Sequence, residues 1–229
     1  MASPAFRSST IPGSGSSAGI TITKPTGVVD NDILICFAYF ESDAAITPPS
    51  GWAQKLLNEQ NAGGEDHRLY CWWHRAASDG ASYTWSWTGS VFRDFSVHAF
   101  SGALTSGDPF QQTNTAINTT SANATTPAVS LTTTTADTTL IWAASNFQSN
   151  SWNTDPTGFT ALYDASYGRC FYKAQAAAGA SGSITCNNVT AAFQTAMLLS
   201  LASIAEAGGG TIYTRKVFDS PTFRSRVIQ

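Results

Sequence analysis

The sequence predicts an all-β protein: an antiparallel, jelly-roll-like β-sandwich of two pseudo-repeated halves, with an extended C-terminal arm. Three observations predict it. The second half of the chain repeats the first. Short runs rich in aromatic and β-branched residues alternate with Gly, Pro, Ser and Asp turns through both halves. No segment of the body carries an apolar period of 3.6 residues.

The repeat is visible at a shift of 107 residues. Ile33–Phe40 and Pro48-Pro49-Ser50-Gly51-Trp52 land on Leu140–Phe147 and Asp155-Pro156-Thr157-Gly158-Phe159. Upstream, Ile22 meets Val129 and Asp30 meets Asp137; past a loop of different length, Cys71-Trp72-Trp73 answers Cys170-Phe171-Tyr172. A period this long does not suit a solenoid, whose repeats run about 20–50 residues. It suits two similar halves, about 5–110 and 111–206, each too open to bury its own apolar face, closing on each other as one core within a sandwich spanning 1–206.

In chain order, the expected strands of the first half are Thr21–Thr23, Ile33–Phe40, Arg68–Arg75, Ser82–Thr88 and Phe92–Phe100. Those of the second are Ala128–Leu131, Thr139–Phe147, Arg169–Ala174, Ser183–Cys186 and Ala191–Ser203. Ile33–Phe40 is apolar on both faces, as a central strand covered on each side requires. Alternation puts Phe95, Val97 and Ala99 on one face and Asp94, Ser96 and His98 on the other; Tyr83, Trp85 and Trp87 share a face. The polar stretch Gln111–Thr126 reads as the long crossover between halves.

The tail differs in kind. Ala207-Gly208-Gly209-Gly210 is a hinge, and residues 207–229 have no counterpart in the first half. Four basic residues against Asp219 give residues 215–229 a net charge of +3, while the remaining eight basic and 14 acidic residues give −6. Its content of Ile, Val, Phe and Tyr is higher than disordered tails carry. The favoured reading is therefore an arm that docks on a neighbour through Ile212, Tyr213, Arg215, Lys216, Val217, Phe218, Phe223, Arg224, Arg226 and Val227, and the alternative a solvated end.

Charged residues are 12 % of the chain, about half the roughly 25 % of an average soluble domain. With a net charge of −3, the molecule does not look like a nucleic-acid binder. Met1–Arg7 lacks the apolar run of a signal peptide, and no stretch approaches the roughly 20 apolar residues of a membrane span. Synthesis in a cytosol, with no membrane partner, is the expectation. Cys36, Cys71, Cys170 and Cys186 lack metal-ligand spacing and read as buried thiols, with a Cys71–Cys170 bridge as the alternative.

Catalysis finds little support. His67 sits beside Glu65 and Asp66 at what reads as an exposed loop tip; His74 reads as a solvent-facing strand end; Asp94 and His98 are too far apart for a direct pair. No G-x-S-x-G, H-E-x-x-H or P-loop motif occurs, and Asp30, Asp32 and Asp137 read as turn caps rather than Ca²⁺ ligands. Neither enzyme activity nor a cofactor or metal is expected. The strongest candidate for binding is the aromatic set Tyr70, Trp72, Trp85 and Trp87, which reads as core or subunit interface, or as a platform for host surface glycan.

The strings AFRSST, ITITKPTGVVDNDILICFAYF, ITPPSGW, YCWWHRAASDGASYTWSW and VHAFSGA, followed by TTTTADTTLIWAASNF and TDPTGF, resemble a duplicated β-sandwich domain of virion structural proteins of tailed bacteriophages and prophages. That domain also appears in assorted bacterial surface proteins. The resemblance covers residues 5–204, and its marks are the (P/D)-P-(S/T)-G-(W/F) turn of each half and the D-x-x-hydrophobic strand before it. It implies a sandwich without a known active site, and residues 207–229 fall outside it. The expectation is a non-enzymatic virion subunit (capsid decoration or cement, collar, tail or fibre) partnered by other virion proteins and by copies of itself, with trimers the analogy. A carbohydrate- or receptor-binding module is the rival, and a glycan-degrading enzyme a third reading that lacks paired carboxylates.

Overall fold

A computed structural model describes residues 2–61, 66–119, 123–147 and 151–204. Among these there is no helix. The strands are β1 (Ala5–Thr23), β2 (Ile33–Phe40), β3 (Ala53–Gln60), β4 (His67–Arg75), β5 (Ser82–Ser101), β6 (Phe110–Asn118), β7 (Thr132–Thr133), β8 (Thr138–Asn146), β9 (Thr160–Asp164), β10 (Gly168–Gln175), β11 (Gly179–Ala180) and β12 (Gln194–Leu201). They form two five-stranded antiparallel sheets, β1-β5-β2-β4-β3 and β6-β12-β8-β10-β9, plus the small β11-β7 pair. The two orders are the same order, so the internal repeat is a repeat of topology. All residues of β2 and of β8 are buried, as befits the middle strand of each sheet.

Besides the two-residue pair β7 and β11, four strands escape the sequence pattern or outrun it. β6 occupies the first half of the stretch expected as a crossover; it is an edge strand whose polar side chains bond the segment beyond it, as Asn114 does to the Ser130 carbonyl at 2.7 Å. β3 and β9 are also edge strands with few large apolar residues. β1 begins 16 residues before the expected Thr21, in a Ser- and Gly-rich run. Its Pro12 falls within a register shift between Thr10 and Gly13, where an edge strand tolerates a missing N–H.

The repeated turn has the geometry its residues demand. Trp52 N donates to the Pro49 carbonyl (3.2 Å) with Gly51 at φ +83°, and Phe159 N donates to the Pro156 carbonyl (3.1 Å) with Gly158 at φ +78°. A positive φ at the third position makes this a type II turn, which explains the glycine in both halves. The strand alignment, however, is corrected by one residue. Leu34 faces the outside of its sheet and Ile35 the inside; Leu140 and Ile141 do the same. Ile33–Phe40 therefore matches Thr139–Asn146, a shift of 106, and Asn31 (φ 72°), not Asp30, is the counterpart of Asp137 (φ 55°). A slip of one residue exchanges the two faces of a strand, so the packing fixes what residue similarity left ambiguous.

The core expected between the halves is present, and among the described residues two further apolar clusters accompany it. Between the sheets, Ile33, Ile35, Phe37 and Phe100 pack with Ile141, Met197, Leu199 and Leu201. Two aromatic contacts there are reciprocal. Phe6 of β1 meets Tyr172 of β10 at 5.6 Å, and Phe110 of β6 meets Trp73 of β4 at 6.1 Å. Since β1 corresponds to β6 and β4 to β10, this is the signature of a pseudo-two-fold, in which contact i–j recurs as j–i. Each sheet then buries its outer face under a layer of its own half. In the first half, β5 pairs with β2 only from Arg93 to Phe100, and its earlier part curls over the sheet, placing Trp85 5.9 Å from Phe95 and 6.4 Å from Trp72. Shifts in register at Thr10/Gly13 and Ser17/Gly19 supply the bend. In the second half, Val129, Leu131 and Ile184, the first and last joined by a β-bridge, pack with Leu140, Trp142 and Phe171.

A Cβ on Gly51 would meet the His74 ring at 3.2 Å, whereas one on Gly158 would meet the mobile end of Lys173 at 3.4 Å. Both positions carry the left-handed penalty of about 1–2 kcal/mol for a residue with a Cβ. Urea unfolding is expected to show Gly51→Ala destabilising by at least that much and Gly158→Ala by less than Gly51→Ala.

Candidate functional site

The four rings nominated as a glycan platform lie inside the protein. Tyr70, Trp72, Trp85 and Trp87 are 4 %, 1 %, 0 % and 8 % exposed and belong to the outer core of the first half. Tyr70 stacks on Trp72 at 4.6 Å, Phe40 meets Trp87 edge-on at 5.1 Å, and the Trp87 indole N–H donates to the Ser17 carbonyl at 2.8 Å. The platform reading is therefore corrected: these rings share a face, as alternation predicts, but the curl of β5 turns that face inward. Ile212, Tyr213, Arg215, Lys216, Val217, Phe218, Phe223, Arg224, Arg226 and Val227 lie outside the described residues. All four cysteines are free and buried, so the Cys71–Cys170 bridge is not formed. Burial raises every thiol, that of Cys186 to about 12, which suppresses thiolate chemistry.

Polar chemistry collects at the seam between the sheets. Asp94, Ser96 and His98 of β5 point across it, as their alternation with Phe95, Val97 and Ala99 requires. The Tyr163 hydroxyl donates to Asp94 Oδ2, while Asp94 Oδ1 has no partner. Ser96 Oγ lies 2.9 Å from His98 Nε2 and 3.9 Å from Cys170 Sγ. Tyr39, Asp94, Tyr163 and Arg169 line a cavity of about 10 Å³, close to the least volume one water molecule needs. Loss of hydration drives the Asp94 carboxyl up to about 6 against the hydrogen bond from Tyr163 and the charge of Arg93. A carboxyl so placed is able to exchange a proton with water, but the space holds no substrate.

The histidines depart from their expected places. His67 is not at an exposed tip; it is fully buried, with its ring 5.6 Å from Tyr39 and 5.8 Å from Phe147, and neither nitrogen has a partner. His74 is largely covered, stacked on Trp52 at 5.5 Å, with Nδ1 on the Gly51 carbonyl and Nε2 on Asp79, both at 2.9 Å. Burial lowers His67 to about 4 and His98 to about 3. Among the described residues, no group of three or more His, Cys, Asp or Glu could hold a metal ion. Asp32 and Asp30 serve their turn: Asp32 accepts from Val29 N at 3.0 Å and pairs with Arg7 at 2.7 Å, and Asp30 accepts from Ser78 N at 2.8 Å.

The fold defines the class of the protein, an all-β chain of two like antiparallel sheets packed as a sandwich. No family model, curated protein or solved structure matches the chain.

The buried groups at the seam set a dependence on pH. His67 and His98 have folded pKa values below the unfolded 6.5, so their contribution is complete above 6.5 and is lost as pH falls toward 4 and 3. Asp94 acts oppositely: raised from 3.8 to about 6, it favours folding as pH falls through that window. Two histidines outweigh one carboxyl, which leaves about one proton more on the unfolded chain near pH 5 and a loss of about 1 kcal/mol per pH unit there. Urea midpoints measured from pH 7 to 4 are expected to fall with this slope, and His67→Phe to flatten it.

Proposed function

We propose that the chain is a non-enzymatic structural component of a tailed-phage particle, a capsid decoration, collar, tail or fibre subunit. It docks on neighbouring subunits through residues 207–229. The observation that carries this reading is the shared apolar layer between two sheets of the same strand order. It makes the body a rigid block, and the cavity beside Asp94 at the seam between the sheets has too little room for a substrate. The resemblance of the paired turns to virion β-sandwich domains supports the same reading, and those turns hold the same backbone geometry in both halves. The mechanism is mechanical: the block presents surfaces, and the arm joins it to a neighbour. Exposed ion pairs contribute only about 0–1 kcal/mol each, so the arm's apolar residues would supply most of its binding, with the +3 charge aiding encounter with acidic surfaces.

Particles assembled with a chain lacking residues 208–229 are expected to incorporate that chain at least tenfold less than the full-length chain, by quantitative gel densitometry. Unchanged incorporation of a folded, truncated body would remove the arm from the mechanism.

A further inference from the structure

The duplicated halves differ in chemistry at one corner, and that difference makes a site. Along the outer strand and β5, the first half maps onto the second at a constant shift of 101: Trp85 onto Cys186, Ser86 onto Asn187, Trp87 onto Asn188, Arg93 onto Gln194 and Phe100 onto Leu201. The pairings agree on both sides. Ser86 bonds Thr47 as Asn187 bonds Thr154, and Phe40 pairs with Arg93 as Asn146 pairs with Gln194. The first half fills this corner with Phe40, Tyr70 and Trp87, the Phe40 ring in contact with each of the other two. The second half places Asn146, Arg169 and Asn188 in the same three positions.

Asn146, Asn188 and Gln194 are 0 %, 3 % and 0 % exposed, yet Nδ2 and Oδ1 of both asparagines and Oε1 of Gln194 have no hydrogen-bond partner. Gln194 Nε2 is held by the Asn123 carbonyl at 2.9 Å, which fixes the unpaired Oε1 in place. Left without partners, five buried polar atoms would cost as much as the whole stability of a domain, so water or a ligand has to supply their bonds.

We infer that this corner of the second half binds a neutral, hydroxyl-rich ligand of the saccharide class. The unpaired atoms are two amide donor groups and three amide acceptors, none of them charged, and Asn146 and Gln194 are register partners on neighbouring strands. A hydroxyl both donates and accepts, so adjacent hydroxyls match an amide edge in two bonds. An anion would face three acceptor oxygens. A cation would find no free carboxylate, because Asp155 and Asp164 already hold Arg169 at 2.5 and 2.7 Å. Trp152, half-buried over Arg169 at 5.4 Å, adds an aromatic surface at the rim. Two backbone bonds, Asn153 N to Asn187 O (2.7 Å) and Val189 N to Ser151 O (2.8 Å), tie the segment that carries Asn188 to residues 151–153, and the ligand enters by parting them.

Calorimetric titration and amide-detected NMR of the full chain with glucose, galactose, N-acetylglucosamine and their disaccharides test the site. At least one sugar is expected to bind and to shift the side-chain NH₂ signals of Asn146 and Asn188. Asn188→Ala should weaken that binding at least tenfold, and the pair Asn146→Phe with Asn188→Trp, which restores the aromatic corner of the first half, should abolish it. Thermal melts check that each variant folds, and the wild-type NH₂ shifts stand independently of the variants. Binding that leaves those signals unmoved overturns the site. So does the absence of binding by every sugar, with a crystal structure showing only ordered waters on the three amides.

Discussion

The apolar layer between the two sheets is the constraint on which the rest of the molecule depends. A five-stranded sheet whose inner face carries Ile33, Ile35, Phe37 and Phe100 has no stable place in water alone; nor has one carrying Ile141, Met197, Leu199 and Leu201. Each fully buried side chain of this size contributes about 1.5–3 kcal/mol relative to exposure. Because both faces come from one duplicated unit, the fit is reciprocal, Phe6 on Tyr172 and Phe110 on Trp73. That reciprocity sets the stacking of the sheets, and the stacking in turn buries Asp94, His67 and His98, whose titration then follows from loss of water rather than from specific charge partners.

Duplication also leaves each half free to change where the other does not constrain it. The inner faces remain apolar in both halves because they must fit one another. The outer faces are covered by local layers and have drifted. Under the first lies a tryptophan-rich cluster built around Trp72, Trp85 and Trp87; under the second lie Val129, Leu131 and Ile184 with an amide-lined corner. Chemistry of a new kind is therefore found in the outer layer, away from the interface that holds the halves together.

Much of the fold was legible from residue type. Ile33–Phe40 is a strand with no charged or amide side chain, and its place at the middle of a sheet followed from that. The paired Pro-x-Gly-aromatic turns followed from the need for a positive φ. The edge strands were less legible. β6 and β9 have one face against solvent or loops, so their apolar residues are too few to stand out, and β1 runs through glycines and a proline that only an edge tolerates. Of the candidate site residues, alternation placed Tyr83, Trp85 and Trp87 on a common face, but could not say whether that face met water or the sheet below.

What the sequence by itself determined is the duplication, the all-β class, the central strands and the turns, because each is written in local residue type and period. The tertiary structure decided the one-residue register between the halves, the burial of the tryptophans and of His67, and the pairing of Asn146 with Gln194. Those outcomes depend on which face of a strand is covered and by what. Such cover is supplied by residues distant in the chain, as Trp87 meets Phe40 and Gln194 pairs with Asn146, so no local pattern can carry it.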